Sequence, residues 1–176
     1  ELQRAVAGHV DHPADAALAA AEAAVTPDEP INIQYTSGTT GKPVPYAVTN
    51  RQLSLEFKAI ADAFELNAES CVFDPFPSLF DMSIMTQAVL TVGGRLVISS
   101  QAAVKEVAIF ADELIASRAT HLIMVTSRFF TLLAHARVHG LSFPCLTHVL
   151  VGGEKIPNDI FCGVQDVFSR RDIKLG

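Results

Sequence analysis

The sequence has no long hydrophobic run, no cluster of basic residues and no paired cysteines. Its 176 residues carry 13 Lys and Arg against 19 Asp and Glu, a formal net charge of −6. Without a cationic excess it lacks the electrostatic footprint of a nucleic-acid binder or of a protein drawn to an anionic membrane surface. Its apolar stretches are broken by Gly, Thr or charge well short of the ~20 residues that span a bilayer. The opening ELQRAVAGHVDHPAD has early charges and no apolar signal-peptide core, so a cytoplasmic setting is expected. Cys71, Cys145 and Cys162 are far apart and form no CxxC pair, which argues against a disulfide framework or a zinc site. They read as small core residues. His135 and His139 stand four apart on an expected helix, but no third ligand accompanies them, so no metal site is expected and they read as a solvated helix face. His121, at a strand start, reads as structural.

Hydrophobic residues make up 49% of the chain, enough for a real core. The length fits one domain or a large piece of one. Residues 1–28 are Ala-rich and read as a short helix (14–25) followed by a linker. Beyond Pro30, short apolar runs alternate with helix-length segments. INIQY (31–35), PYAV (45–48), CVFD (71–74), RLVI (95–98), HLIMV (121–125), THVLV (147–151) and IKL (173–175) read as strands. Helices are expected from Asn50, as cap, to about Phe64, from Asp81 to Leu90, and over Val104–Ala116. A further one runs from a Thr126 or Ser127 cap to Gly140, and another lies near Asn158–Phe168. Gly93 and Gly94 turn the chain between two of these elements. Strands without apolar–polar alternation are those covered on both faces. The fold class is therefore α/β, a mostly parallel sheet flanked by helices.

The stretch YTSGTTGKP (35–43) interrupts this apolar background directly after INIQY. Ligands of open α/β sheets sit beyond the carboxyl ends of strands, and this stretch is expected there. Gly38 and Gly41 let the backbone fold around an anion with its N–H groups inward. The hydroxyls of Thr36, Ser37, Thr39 and Thr40 add donors, and Lys42 adds a mobile positive charge. Together they make a credible polyphosphate cradle. It is not a Walker A loop, which needs four residues between its glycines and Ser or Thr after the lysine. Here two residues separate Gly38 from Gly41, and Pro43 follows Lys42. A solvated hairpin loop rich in turn formers is the plainer reading of the same residues.

TSGTTGKP resembles the phosphate loop of the adenylate-forming enzymes, among them the acyl-CoA synthetases and the adenylation domains of nonribosomal peptide synthetases. Other motifs follow in order. LFDMS (79–83) resembles the FDxS element of amino-acid-activating members, and TVGGRLVI (91–98) their glycine-then-strand segment. THLIMVTSRFFTLL (120–133) resembles their strand-to-helix segment, and THVLVGGEKIP (147–157) the element bordering the adenine pocket. The resemblance identifies residues 29–176 as a partial AMP-binding, or adenylation, domain, most like that of a nonribosomal peptide synthetase.

The resemblance implies an ATP-dependent ligase. A carboxylate attacks the α-phosphate of ATP, giving an acyl-adenylate that a thiol then takes over. The thiol belongs to coenzyme A or to the phosphopantetheine of a carrier protein. Thr36, Ser37, Gly38, Thr39, Thr40, Gly41 and Lys42 would hold the phosphates, with Thr36 and Lys42 catalytic. Asp81 would pair with the α-ammonium of an amino-acid substrate, its carboxylate partly buried. Read from the residues alone, a simple N-cap is the alternative. Met82, Met85, Met124, Leu150 and Gly152 would line the side-chain pocket, or simply pack in the core. Gly153, Glu154 and Lys155 would border the adenine, or form a strand-to-helix turn. Mg2+ is implied too, but its ligands would come from a Tyr-Gly-x-Thr-Glu element expected just after Gly176. With that element and a C-terminal catalytic lysine outside it, the chain is expected to be a fragment that does not complete the reaction alone.

Some positions depart from the family pattern. Val44 and Pro45 replace a usual Lys and Gly, Asn50 replaces a usual His, and Val125 or Thr126 replaces a usual Pro. Two other readings stay open: an acyl- or aryl-CoA ligase in which LFDMS is coincidental, and a non-catalytic nucleotide-binding remnant.

Overall fold

The computed structural model describes residues 13–36, 42–77, 80–154 and 174–175. They fall into two compact units, Glu1–Leu53 and Ser54–Gly176. The first begins with α1 (Pro13–Ala24), whose alanines favour helix by propensity. β1 (Pro30–Thr36) and β2 (Val44–Thr49) then pair antiparallel, with Ile33 opposite Ala47 and Tyr35 opposite Pro45. INIQY therefore does not belong to the parallel sheet, contrary to the expectation. The reason lies in chain length: a parallel return needs a crossover of about a dozen residues or more, and 37–43 can only turn the chain back. The stretch thus joins a two-stranded hairpin rather than standing at the carboxyl end of a parallel strand.

Helix α2 (Asn50–Ala63) starts on a reciprocal cap one residue earlier than expected. The Thr49 hydroxyl accepts from the Gln52 N–H at 3.3 Å, while the Gln52 side-chain oxygen accepts from the Thr49 N–H at 2.9 Å. This is a capping box, so Thr49 takes the role expected of Asn50.

The second unit is built on one sheet of order β4-β3-β5-β6-β7, every pairing parallel. Its strands are β3 (Cys71–Asp74), β4 (Arg95–Ile98), β5 (His121–Val125), β6 (His148–Gly152) and β7 (Lys174–Leu175). β3 is buried along its whole length and β5 along all but its last residue. Phe73 on β3 meets Phe110 edge-on, ring centroids 5.3 Å apart, and both are 1% exposed or less. Each such side chain contributes about 1.5–3 kcal/mol by leaving water.

Two expected helices are each divided. Residues 81–91 form α3 (Asp81–Thr86) and α4 (Ala88–Thr91), and residues 101–117 form α5 (Gln101–Lys105) and α6 (Val107–Ser117). The start at Gln101 comes from Ser100, whose hydroxyl accepts from the Ala103 N–H. Glu106 then adopts extended backbone and separates α5 from α6. Gly93 turns the chain with φ +79°, and at Gly94 an added Cβ would lie 2.9 Å from the Ser70 and Asn67 carbonyl oxygens, so only glycine fits. α7 (Thr126–His139) ends on Gly140 at φ 62°, as its sequence predicts. The Arg128 guanidinium donates to the Ala103 and Val104 carbonyls at 2.6 and 2.7 Å and lies over the Phe110 ring, locking α7 to the end of α5. No described helix is long and apolar enough to cross a membrane. The helix expected near Asn158–Phe168 lies outside the described residues, as does Cys162.

Candidate active site

Because the strands run parallel, their carboxyl ends share one edge of the sheet, where α/β folds bind ligands. β3 arrives there at Asp74, β5 at Val125 and β6 at Gly152. Alternation along each strand sorts the side chains onto two faces. Register puts Asp74, Ile123, Val125, Leu150 and Gly152 on one face, and Phe73, Leu122, Met124, Val149 and Val151 on the other. Helix α3 lies over the first face, since the Ser83 hydroxyl donates to the Asp74 carboxylate at 2.7 Å. Phe110 on α6 covers the second.

This sorting divides the expected pocket. Leu150 and Gly152 share a face with α3, which carries Asp81, Met82 and Met85. Met124 is on the opposite face and fully buried among core residues, so it does not join them. The side chain that does is Val125, half-buried and directly opposite Gly152 in the register. The period-two rule applied to HLIMV was the signal that would have found it. Met82 and Met85 are half-buried, Met82 packing against the core. A Cβ built on Gly152 meets nothing within 4 Å, so there is open space beside it.

Asp81 is exposed rather than partly buried. Nor is it the N-cap of α3: Phe80 holds that position, without a side-chain cap bond. One Asp81 carboxyl oxygen accepts from the Met82 N–H at 2.8 Å, which the first turn of a helix favours for an anion. A carboxylate open to solvent at this edge is available to a cationic ligand group.

The start of α7 is capped from a distance. Val125 is its N-cap residue and makes no side-chain cap bond. The Glu154 carboxylate instead accepts from the Ser127 N–H at 3.0 Å and from the Ser127 hydroxyl at 3.2 Å. The Thr126 hydroxyl donates back to the Gly152 carbonyl at 3.3 Å. Neither Thr126 nor Ser127 is the cap expected from sequence, since the acceptor comes from the turn after β6. Gly153, at φ +80°, makes that turn. Lys155 lies outside the described residues, as do Ser37 to Gly41. Lys42 is exposed, and the backbone of Thr36 closes β1.

At the opposite edge of the sheet, polar groups bond to one another around a hollow of about 300 Å³ bordered by Glu65, Glu69, His121 and His148. His121 is 5% exposed, and its ring stacks on His148 with centroids 4.4 Å apart. Its Nε2 donates to the Phe64 carbonyl at 3.0 Å, and its Nδ1 accepts from the Thr120 hydroxyl at 2.8 Å. Burial, chiefly, lowers the pKa of this imidazole from 6.5 to about 4. The His148 ring lowers it further, while the Phe64 carbonyl and Glu65 act against the shift. The structural reading of His121 holds. Burial also raises the Cys71 thiol, in keeping with a core role. Among the described residues no group of His, Cys, Asp and Glu is arranged to hold a metal ion.

A parallel sheet flanked by helices, its strands' carboxyl ends on one edge, defines an α/β domain. A sequence model of the AMP-binding enzyme family matches residues 3–175, and the chain belongs to that family. It is 28% identical over 150 residues to a dimodular nonribosomal peptide synthase of Bacillus subtilis (strain 168), covering 83% of this chain and 6% of that protein. Among solved structures it shares its fold with VinN in complex with L-aspartate (TM-score 0.70, 22% identity, 82% of this chain and 36% of that one). It shares it also with the nonribosomal peptide synthetase FmoA3 in its AMPPNP-bound form (TM-score 0.72, 19% identity, 85% of this chain and 16% of that one). The chain thus spans well under half the length of each of these relatives.

Proposed function

We propose that the protein carrying this chain is an ATP-dependent, cytoplasmic ligase that activates an amino acid as its adenylate and passes it to a carrier-protein phosphopantetheine thiol. The single observation that carries the reading is Asp81. It is an exposed carboxylate at the first turn of α3, on the same sheet face and the same edge as the open space beside Gly152. Membership of the AMP-binding family supplies the reaction class. The L-aspartate complex of VinN and the AMPPNP complex of FmoA3 support an amino acid and ATP as the two substrates.

In this reading Asp81 receives the α-ammonium, a charge-assisted contact that fixes the substrate's orientation. Met82, Met85, Val125, Leu150 and Gly152 surround its side chain with apolar or small groups. Thr36 to Lys42 donate to the phosphates, and Lys42 offsets the charge that develops as the α-phosphate is attacked. Gly153 to Lys155 run beside the adenine, with Glu154 holding this turn against α7. Mg2+, when bound, would neutralise phosphate charge.

The test is ATP–pyrophosphate exchange by the full-length protein, with amino acids set against fatty and aryl acids. Exchange with one or a few amino acids is the expected outcome. Exchange with non-amino acids alone rejects the Asp81 assignment, and ATP binding without exchange rejects the ligase. Lys42→Ala should lower kcat/KM for ATP about tenfold or more, on the order of a lost phosphate contact.

A further inference from the structure

Asp74 is a buried carboxylate with no place in the reading above. It ends β3 at the carboxyl edge and is 2% exposed. Among the described residues no Lys, Arg or His forms an ion pair with it. Both of its carboxyl oxygens are nonetheless occupied. Oδ1 accepts from the Phe76 N–H at 2.9 Å, and Oδ2 accepts from the Ser83 hydroxyl at 2.7 Å. Ser83 is itself 3% exposed and sits two residues after Asp81. Its carbonyl accepts from the Thr86 hydroxyl at 2.7 Å. The Asp74 backbone carbonyl meanwhile accepts from the Ser99 N–H at 2.9 Å, tying the exit of β4 to the same point.

Helix α3 has little of its own to hold it in place. It has six residues, well below the length at which a helix is stable alone, and no side chain caps its start. Its position over the sheet is set by what it is bonded to, and the carboxylate–hydroxyl bond from Asp74 to Ser83 is the charge-assisted member of that set. A buried carboxylate with no cation beside it among the described residues is costly to keep, and the two hydrogen bonds it accepts offset that cost while fixing one local arrangement.

We propose that Asp74 is a positioning residue for the amine end of the substrate. It acts through Ser83 on the helix that carries Asp81, and so sets where the Asp81 carboxylate stands at the edge of the sheet. This inference rests on the reading of Asp81 given above.

The experiment measures ATP–pyrophosphate exchange by the full-length protein with its preferred amino acid and with the des-amino analogue of the same acid. Asp74→Asn should raise KM for the amino acid about tenfold or more, the size expected when a binding group is displaced rather than removed. It should leave KM for ATP and kcat within about twofold, and it should narrow the preference over the des-amino acid. Ser83→Ala should shift the same quantities the same way. The double variant should add little, because the two residues act as one unit. A variant that moves both KM values and kcat together, or lowers only the melting temperature, overturns the proposal. If Asp74→Asn does not fold, an unchanged amine preference in Ser83→Ala overturns it as well. Wild-type protein that exchanges no amino acid instead removes the reading of Asp81, and is seen before any variant is made.

Discussion

The two edges of the second unit's sheet are built on opposite principles. At the amino edge, polar groups are satisfied by one another: Thr120 accepts from the Cys71 N–H at 2.8 Å and donates to His121, which donates to the Phe64 carbonyl. At the carboxyl edge, polar side chains are half committed. Asp81 is exposed, Gly152 faces open space, and Glu154 caps α7 from an exposed position. A closed polar network rigidifies, whereas a partly open one leaves donors and acceptors for a ligand. Stability should therefore reside at one edge and activity at the other.

Substitutions that separate the two properties sharpen this contrast. The largest effect is expected at Asp81. Asp81→Ala should lower kcat/KM for the amino acid by about 100-fold, the scale of a lost hydrogen bond to a charged group, while costing no more stability than the ~0.3–1 kcal/mol of a first-turn carboxylate. Comparable loss of stability would break the contrast. At the other edge, His121→Ala should destabilise the protein by about 2 kcal/mol, as it removes a ring and two buried hydrogen bonds, readable in urea unfolding. The substrate preference of the variant should be intact.

The same histidine gives the amino edge a pH signature. Its folded pKa of about 4 lies below the unfolded value of 6.5, so above pH 6.5 it is neutral in both states and its full contribution is present. As pH falls from 6.5 towards 4, the unfolded chain takes up a proton that the folded one refuses, and stability declines. His148, Glu65 and Glu69 border the same hollow. His121→Gln should flatten the decline in urea midpoint across that window, and an unchanged slope would contradict its assignment to His121. The smallest effect belongs to Glu154→Ala, about 1 kcal/mol of stability from a lost helix cap, measured by thermal unfolding.

Legibility in the sequence followed the range of the forces involved. CVFD, RLVI and HLIMV coincide with β3, β4 and β5, because dense apolar runs between turns leave few alternatives. The antiparallel partner of INIQY was legible in principle, from the shortness of 37–43. The caps were misplaced where partner choice is tertiary: no local pattern says that Glu154 reaches Ser127 from the next strand's exit. Thr49 was a local miss, since Thr-x-x-Gln stands in the sequence. For the site, motif order singles out Asp81, Leu150 and Gly152, and the fold puts Leu150 and Gly152 on the sheet face that α3 covers, but only strand parity separates Met124 from Val125. Asp74 carried no motif, and its role depends on a bond nine residues away along the chain that only the fold closes.

The most direct test of the central claim is a crystal structure of the full-length protein with a non-hydrolysable aminoacyl-sulfamoyl adenosine. The account predicts the ligand at the carboxyl ends of β3, β5 and β6, its ammonium on Asp81 and its side chain between Met82, Val125 and Gly152. Density at the His121–His148 edge, or an ammonium held by groups other than Asp81, would contradict it.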